Sequence, residues 1–310
     1  PTQPAYETKT EEGKVTTTIS VNPSTDEEGK AVAEISEIQI SDAIAKAENE
    51  AAKQDEDTEI IVRIDVTAQA DAKTVGIELT REAIKEFVDS EADKLVISTP
   101  LGIITFDRKT AEHILKQSDG TITITVAKAE AAGLTEEVRQ KIGDRPVVSF
   151  NITANGKAVT HLDSEMTFTI PYELKEGENP NAIVVYSINV PGAPEIVTNC
   201  KYDPVNGIIT FTAPYASRFA VAYNKVDFAD VEDGAWYSDA VNFAAARGIT
   251  AGVGNGYFGT NDPITRAQVL VLTMRAFGIE PDEYAEDNFS DAGDTYYTGY
   301  LAAAKRLGIT

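Results

Sequence analysis

Cysteine is almost missing from this chain: Cys200 stands alone among 310 residues. A lone cysteine excludes an intrachain disulfide and a cysteine-based zinc site. Stability must come from a packed core, which a chain of this length can bury. Histidine is nearly as scarce. His113 and His161 are the only two, which argues against a multi-histidine metal centre. No apolar run approaches the roughly 18 residues that a membrane-spanning helix requires. Basic charge is short as well, with 27 Lys and Arg against 50 Asp and Glu and a formal net charge of −23. Nucleic acid and anionic membranes both need a basic face, so neither fits as a partner. The chain begins at Pro1 with no initiator methionine or signal peptide, as a processed or excised piece would.

What is present is a globular balance, 42% hydrophobic and 25% charged, and a pattern that changes twice along the chain. Residues 1–13 are polar with two prolines and read as a mobile linker. From 14 to 129, strands ("KVTTTISV", "EIIVRIDVTA", "TITITVA") mix with short helices, predicting an α+β module. In "SDAIAKAENEAAKQ" Ser41 is placed as a helix N-cap. "KLVIST" and "GIITFD", split by a Pro-Leu-Gly turn, predict a hairpin. A helical connector spans 130–146. Six short strands between Gly, Pro and Asn turns then predict a β-sandwich over 147–225. Beyond Asn224-Lys225 the chain becomes Ala-rich and helical. The expected class is a multidomain α+β protein.

An internal repeat marks the last part. "FADVEDGAWYSDAVNFAAARGIT" (228–250) matches "FSDAGDTYYTGYLAAAKRLGIT" (289–310), pairing Asp230 with Asp291, Trp236 with Tyr296 and Gly248 with Gly308. A repeat of this length calls for an array of units. The second copy stops where the first continues, so one unit is expected at 226–287 and a partial one at 288–310. Within the first, "NDPITRAQVLVLTMRAFG" predicts a helix capped by Thr265 and Gln268 in a capping box. Its apolar side carries Ala267, Val271, Met274 and Gly278, with Leu270 and Phe277 beside it. Arg266 falls at the first helical position, where the dipole disfavours a cation by about 0.3–1 kcal/mol. An anion held there by Arg266 and the free backbone N–H groups would offset that cost. Pairing with Asp262 would offset it too.

These residues carry a family resemblance. Phe228-Ala-Asp230-Val231, Trp236-Tyr237, Gly248-Ile249, Gly254-Asn-Gly256 and Ile264-Thr265-Arg266-Ala267-Gln268 together resemble the S-layer homology repeat of bacterial cell-surface proteins. The family's Thr-Arg-Ala-Glu stands here as Thr-Arg-Ala-Gln. The resemblance implies two helices per repeat, a unit built from three repeats, and binding of secondary cell-wall polysaccharide, often through a pyruvylated and therefore acidic sugar. By motif position it implies Asp230, Trp236 and Arg266 as glycan-binding residues, with Asp291 and Tyr296 as their counterparts in the second copy. It also implies an extracellular, cell-wall or S-layer location in a Gram-positive setting. Residues 226–310 hold 13 acids and 5 bases, so recognition of an acidic glycan has to be local rather than steered from a distance.

A second resemblance is weaker. Cys200, Tyr202-Asp203 and Tyr215-Ala216-Ser217-Arg218-Phe219-Ala220-Val221 resemble the closing strands of autoproteolysis-inducing (GAIN-type) domains. That family uses a histidine as base where this chain has Tyr215, and a phenol with a pKa near 10 is a poor base at neutral pH. The fold is implied and self-cleavage is not expected.

Other constellations carry less. His161-Leu162-Asp163-Ser164 holds triad residue types without a nucleophile elbow and is read as a surface turn. The acidic loops "STDEEG" and "DFADVEDG" lack the spacing of a helix-loop-helix calcium site, so no cofactor is expected and calcium is the only ion they leave open. "GVGNGYFG" lacks the lysine of a phosphate loop. The functional expectation is a non-enzymatic cell-surface protein anchored to wall polysaccharide, with the upstream modules as stalk or assembly surface. The alternative is the anchoring end of an exported enzyme such as a polysaccharide hydrolase.

Overall fold

The computed structural model describes residues 5–69, 71–131, 134–159, 162, 164–188, 194–282 and 288–310. In chain order the first elements are β1 (Ala5–Glu11), β2 (Lys14–Val21), β3 (Lys30–Ile35), α1 (Glu37–Ala51), β4 (Glu59–Val66) and β5 (Thr74–Leu79). Then come α2 (Arg81–Asp89), β6 (Lys94–Thr99), β7 (Gly102–Asp107), α3 (Arg108–Lys116), β8 (Ile122–Lys128) and α4 (Glu136–Ile142). The next strands are β9 (Val147–Ala154), β10 (Lys157–Ala158), β11 (Met166–Pro171), β12 (Ile183–Ile188), β13 (Glu195–Ile196) and β14 (Lys201–Asp203). The last elements are β15 (Ile208–Ala213), β16 (Arg218–Tyr223), α5 (Ser238–Ala246), α6 (Arg266–Ala276) and α7 (Thr298–Arg306).

The strands assemble into two eight-stranded sheets. The first runs β1-β2-β4-β6-β7-β11-β15-β14, and the second runs β13-β12-β16-β9-β8-β5-β3 with β10 attached to β9. Both sheets cross the expected boundary between 129 and 147. In the first, Thr105 of β7 pairs with Thr167 of β11. In the second, β8 pairs with β9 over its whole length, from Ile122↔Ala154 to Lys128↔Val148. The α+β module and the β-sandwich therefore share one pair of sheets. Phe168 and Phe211 from the first sheet meet Phe150 and Phe219 from the second, with centroids of 4.9 Å for Phe150–Phe168 and 4.6 Å for Phe211–Phe219. Offset and tilted rings at this separation are favourable beyond simple burial.

Two local expectations are corrected. Residues 5–11, expected to be linker, form β1 and pair with β2 from Ala5↔Ser20 to Glu11↔Lys14. Thr8 and Thr17 also share a side-chain hydrogen bond of 2.9 Å across the pair. Polar β-branched residues suit an edge strand with one wet face, and composition alone reads such a strand as linker. Helix α1 is capped by Ser36, five residues before Ser41. Gln39 closes its capping box, donating its N–H to the Ser36 hydroxyl at 3.3 Å and accepting the Ser36 N–H at 2.8 Å. Ser41 has Ile44 three residues on and cannot form that reciprocal pair. The hairpin of β6 and β7 forms as expected, with Thr99 opposite Gly102.

Among the described residues no helix is long and apolar enough to cross a membrane. His161 and Asp163 lie outside the described residues; neighbouring Ser164 shares a hydrogen bond of 2.5 Å with Thr110.

Candidate functional site

The sequence repeat has a structural counterpart. Tyr237 and Tyr297 precede α5 and α7, and each is met edge-on by the aromatic ring before it. Trp236 lies 5.6 Å from Tyr237 at 85°, and Tyr296 lies 5.2 Å from Tyr297 at 83°. Both helices close with a glycine at φ +69, Gly248 and Gly308, and with the same bonds. Gly248 N–H donates to Ala245 and Ile249 N–H to Ala244, as Gly308 does to Lys305 and Ile309 to Ala304. Left-handed backbone at the residue after a helix is what selects glycine there. Helix α7 packs on α6 through Val271, Met274, Tyr300, Ala303 and Ala304.

Asp230 is a loop organiser. Its carboxylate accepts backbone N–H groups from Phe258 at 2.7 Å, Gly259 at 2.8 Å and Thr260 at 3.0 Å. Partial burial pushes this carboxyl up, and the three donors outweigh it, so its pKa lies below the usual aspartate value. Phe228 packs against Phe258 at 5.7 Å beneath the same loop. Gly252 sits against it so closely that a Cβ would lie 2.2 Å from the Tyr257 carbonyl oxygen.

Trp236 is 94% exposed and Tyr296 64% exposed. The two rings stand exposed at equivalent places of the two copies. Arg266 opens α6 behind the expected capping box, in which Thr265 N–H donates to Gln268 Oε1 at 2.7 Å. Arg266 is exposed, and among the described residues it makes no hydrogen bond or ion pair, with Asp262 or any other acid. Asp291 is also exposed.

A cleft of about 450 Å³ opens between the 250–264 loop, α6 and the start of α7, lined among others by Phe258, Asp262, Gln268, Arg275 and Tyr296. Of the five residues expected to bind glycan, Tyr296 lines this cleft. Asp230 stands behind its wall as the loop anchor, and Trp236, Arg266 and Asp291 lie outside its lining. Gln268 was read from sequence as a capping residue and motif position, and Arg275 was not singled out. Arg275 sits in the last turn of α6, where a cation suits the helix dipole and so draws no attention. Its Nε donates to the Tyr300 hydroxyl at 3.1 Å.

Arg247 is the residue that sequence reasoning missed entirely. It follows α5 and is 2% exposed. Its guanidinium donates to the carbonyl oxygens of Cys200 at 2.8 Å, Asn181 at 2.8 Å, Ile183 at 3.1 Å and Phe243 at 3.1 Å, and it lies 3.5 Å over the Phe243 ring. Burial pulls its pKa down, opposed by its interaction with Cys200. Buried Asn224 adds a second tie, donating to the Ala246 carbonyl at 2.5 Å. The repeat part is thus hydrogen-bonded to the sheets across the expected boundary at 224–225.

One carboxylate in each acidic loop is spent on the backbone: Asp26 accepts from Glu28 and Lys30 N–H, and Asp230 as above, while Asp227 pairs with Lys225 at 2.8 Å. Among the described residues no group of three or more His, Cys, Asp or Glu converges as a metal site would require. Tyr215 stacks parallel to Phe219 at 6.3 Å and its hydroxyl lies 3.3 Å from Ser187 Oγ.

Comparison with known proteins places a family match on the first of the two copies. The S-layer homology domain model matches residues 227–270. An S-layer protein of Bacillus licheniformis is 30% identical over 112 residues, 36% of this chain and 13% of that protein. A cell surface protein of Thermoanaerobacter kivui is 37% identical over 107 residues, 33% of this chain and 14% of that protein. An amylopullulanase of Thermoanaerobacterium thermosulfurigenes is 24% identical over 207 residues, 63% of this chain and 11% of that protein. The chain thus spans only 11% to 14% of the length of these relatives. From Asp227 to Leu270, with its loop held by Asp230 and its helix boxed by Thr265 and Gln268, this chain carries an S-layer homology domain.

Proposed function

We propose that this chain is the wall-anchoring part of a bacterial cell-surface protein and that residues 226–310 bind cell-wall polysaccharide without catalysing a reaction. The observation that carries this is the domain match at 227–270 together with a second copy of its aromatic step at Tyr296-Tyr297, which brings Tyr296 into a cleft beside Arg275. Tyr296 and Trp236 offer apolar ring faces to sugar C–H surfaces. Arg266 and Arg275 offer forked donors that match a carboxylate such as a pyruvyl group. Asp230 acts by positioning the 258–260 backbone. Sheets β1–β16 serve as the body from which the anchor projects. The location that follows is the cell wall, outside the membrane.

A second reading has its own support. The amylopullulanase match covers 63% of this chain and is too long to fit within 226–310, so the likeness extends into the sheets. An exoglucanase of Acetivibrio thermocellus is 29% identical over 171 residues. On this reading the same body and anchor belong to an exported polysaccharide-degrading enzyme.

The test is co-sedimentation with purified cell walls, before and after chemical removal of the secondary polysaccharide, for this chain and for a version extended by further repeats. Retention that depends on the polysaccharide and strengthens with added repeats is expected. Equal retention on stripped walls would overturn the proposal. Assay of the full-length parent chain for glycan hydrolysis separates the two readings.

A further inference from the structure

A second cleft, of about 410 Å³, lies where the edge of the sheets meets the helices. Its floor comes from β13, the 196–199 segment and β15, and its roof from Arg275, Phe277, Glu280 and Tyr300. It shares one residue, Arg275, with the cleft that holds Tyr296.

The chemistry of this second cleft differs from that of the first. Phe277 follows α6 and is 75% exposed, an apolar ring standing at the rim. Half-buried Tyr215, stacked on Phe219, also lines the cleft, while Tyr300 is 6% exposed and packed into the α6–α7 core. Asn199 and Glu165 are tied to the wall: Asn199 Nδ2 donates to Thr212 Oγ1 at 2.8 Å, and Glu165 accepts from the Thr212 hydroxyl at 2.5 Å. Glu195 and Glu280 are exposed carboxylates for which no hydrogen bond or ion pair exists among the described residues. They do not converge as metal ligands, since no such group exists among the described residues. Arg275 commits its Nε to Tyr300 and keeps its terminal nitrogens as donors.

We infer that this cleft is a second glycan subsite that takes a neutral, hydroxyl-rich sugar unit. Dispersed carboxylate acceptors with a single forked donor suit a ring bearing hydroxyls on several sides, because each hydroxyl donates to one acceptor. The exposed Phe277 ring gives the apolar face of such a unit a surface to lie on. Three glutamates against one arginine repel an acidic sugar at close range. The shared Arg275 makes the two clefts neighbours, so one polysaccharide chain can place an acidic unit in the first and a neutral unit in the second. The inference rests on the proposed function only in taking a glycan as the ligand class.

The experiment titrates the full chain with neutral triacetylchitotriose and with a uronic-acid trimer, following backbone amide shifts. The neutral trimer should perturb Thr198, Asn199, Gly278 and Glu280. Phe277→Ala and Glu195→Ala should each weaken it by about 3- to 10-fold, the range expected for losing one modest contact. The uronic trimer should bind this cleft at least tenfold more weakly. The inference fails if the perturbed amides lie elsewhere, if both substitutions leave the affinity within twofold, or if the uronic trimer binds here as well as the neutral one. A tri-lysine control that binds as tightly as the neutral trimer would also overturn it, by making charge alone the determinant. Phe277 is largely in solvent, so its removal leaves the fold intact. Loss of wall co-sedimentation with retention of neutral-trimer binding would sink the proposed function and leave this subsite standing.

Discussion

Replacing Arg247 with alanine tests how the anchor is joined to the body. The side chain supplies four hydrogen bonds to carbonyl oxygens, three of them on Asn181, Ile183 and Cys200 in the sheet part of the molecule. It is 2% exposed, so those carbonyls have little water to turn to when it is removed. A hydrogen bond to a charged group contributes about 1.5–3 kcal/mol, and a buried acceptor left without a donor costs about 1–3 kcal/mol. Water entering the space left by the guanidinium recovers part of this. The expected loss is about 3–5 kcal/mol in holding α5 against the sheets, the range seen when a buried charge network is broken. That raises the local opening equilibrium by roughly two to three and a half powers of ten.

Amide hydrogen exchange is the assay, because it reads opening of α5 separately from the sheets. Protection of residues 241–246 should fall by that factor in Arg247→Ala while β8 and β9 keep theirs. Arg247→Lys should recover less than half, since one ammonium cannot reach carbonyls spread over Asn181, Ile183 and Cys200 or lie flat on Phe243. Protease nicks at 225–235 should leave the repeat part associated in the wild type and release it in the alanine variant. Unchanged α5 protection in Arg247→Ala, or full recovery with lysine, would refute the reasoning.

Three further outcomes are expected. Arg266→Ala in a version with added repeats should lose about 10- to 150-fold in affinity for acidic wall polysaccharide, with little change in melting temperature; a large melting loss with binding intact would mark Arg266 as structural. The purified chain should run as one species near 33.4 kDa, and fragments splitting between Ala216 and Ser217 would show that Tyr215 does act as a base. The cluster of Arg145, Tyr172 and Glu178 sets limits at both ends of the pH scale. Burial raises Glu178, but the Tyr172 hydroxyl at 2.5 Å, the Arg145 guanidinium and the Lys175 N–H together hold it below the usual glutamate value. Its contribution is present above the unfolded value and is lost as pH falls through the lowered one. Burial and Glu178 push Tyr172 up to about 12. Its contribution is present below the unfolded value near 10 and is lost as pH rises through about 12. Urea midpoints across pH should therefore drop at both extremes, and Tyr172→Phe should flatten the alkaline limb.

What was legible in the sequence was local or repeated. Thr265 with Gln268 is a capping box written in four residues, and it forms. The alternation in "TITITVA" gives β8 with Ile122, Ile124 and Val126 buried. The repeat motif located the domain that the family model matches. What was not legible depended on partners distant in the chain. Alternation places a residue on a face but says nothing of which strand lies alongside, so the joining of β7 to β11 and β8 to β9 left no mark. Periodicity set Phe277 beside the apolar side of α6, but the helix ends at Ala276 and the ring turns out to solvent at the second cleft. Asp230 was read as a motif residue, and spacing could not say that its carboxylate would accept backbone N–H groups 28 to 30 residues away.

Arg247 did leave a trace, in the comparison of the two copies. Its counterpart by alignment on Gly248 and Gly308 is Leu307, 48% exposed at the end of α7. In a repeat array each unit covers one face of its neighbour, and the first unit has no neighbour before it. Here the sheet part occupies that position, presenting carbonyls from Asn181, Ile183 and Cys200 instead of another helix. Carbonyl oxygens call for a donor, and a leucine at 247 would leave them without one. Arg247 is therefore the side chain through which α5 meets the sheet part. A cap of this kind fixes the orientation of the first unit on the body. Three hydrogen bonds from Arg247, to Asn181, Ile183 and Cys200, then tie the end of α5 to the sheet part beside the chain connection at 224–225.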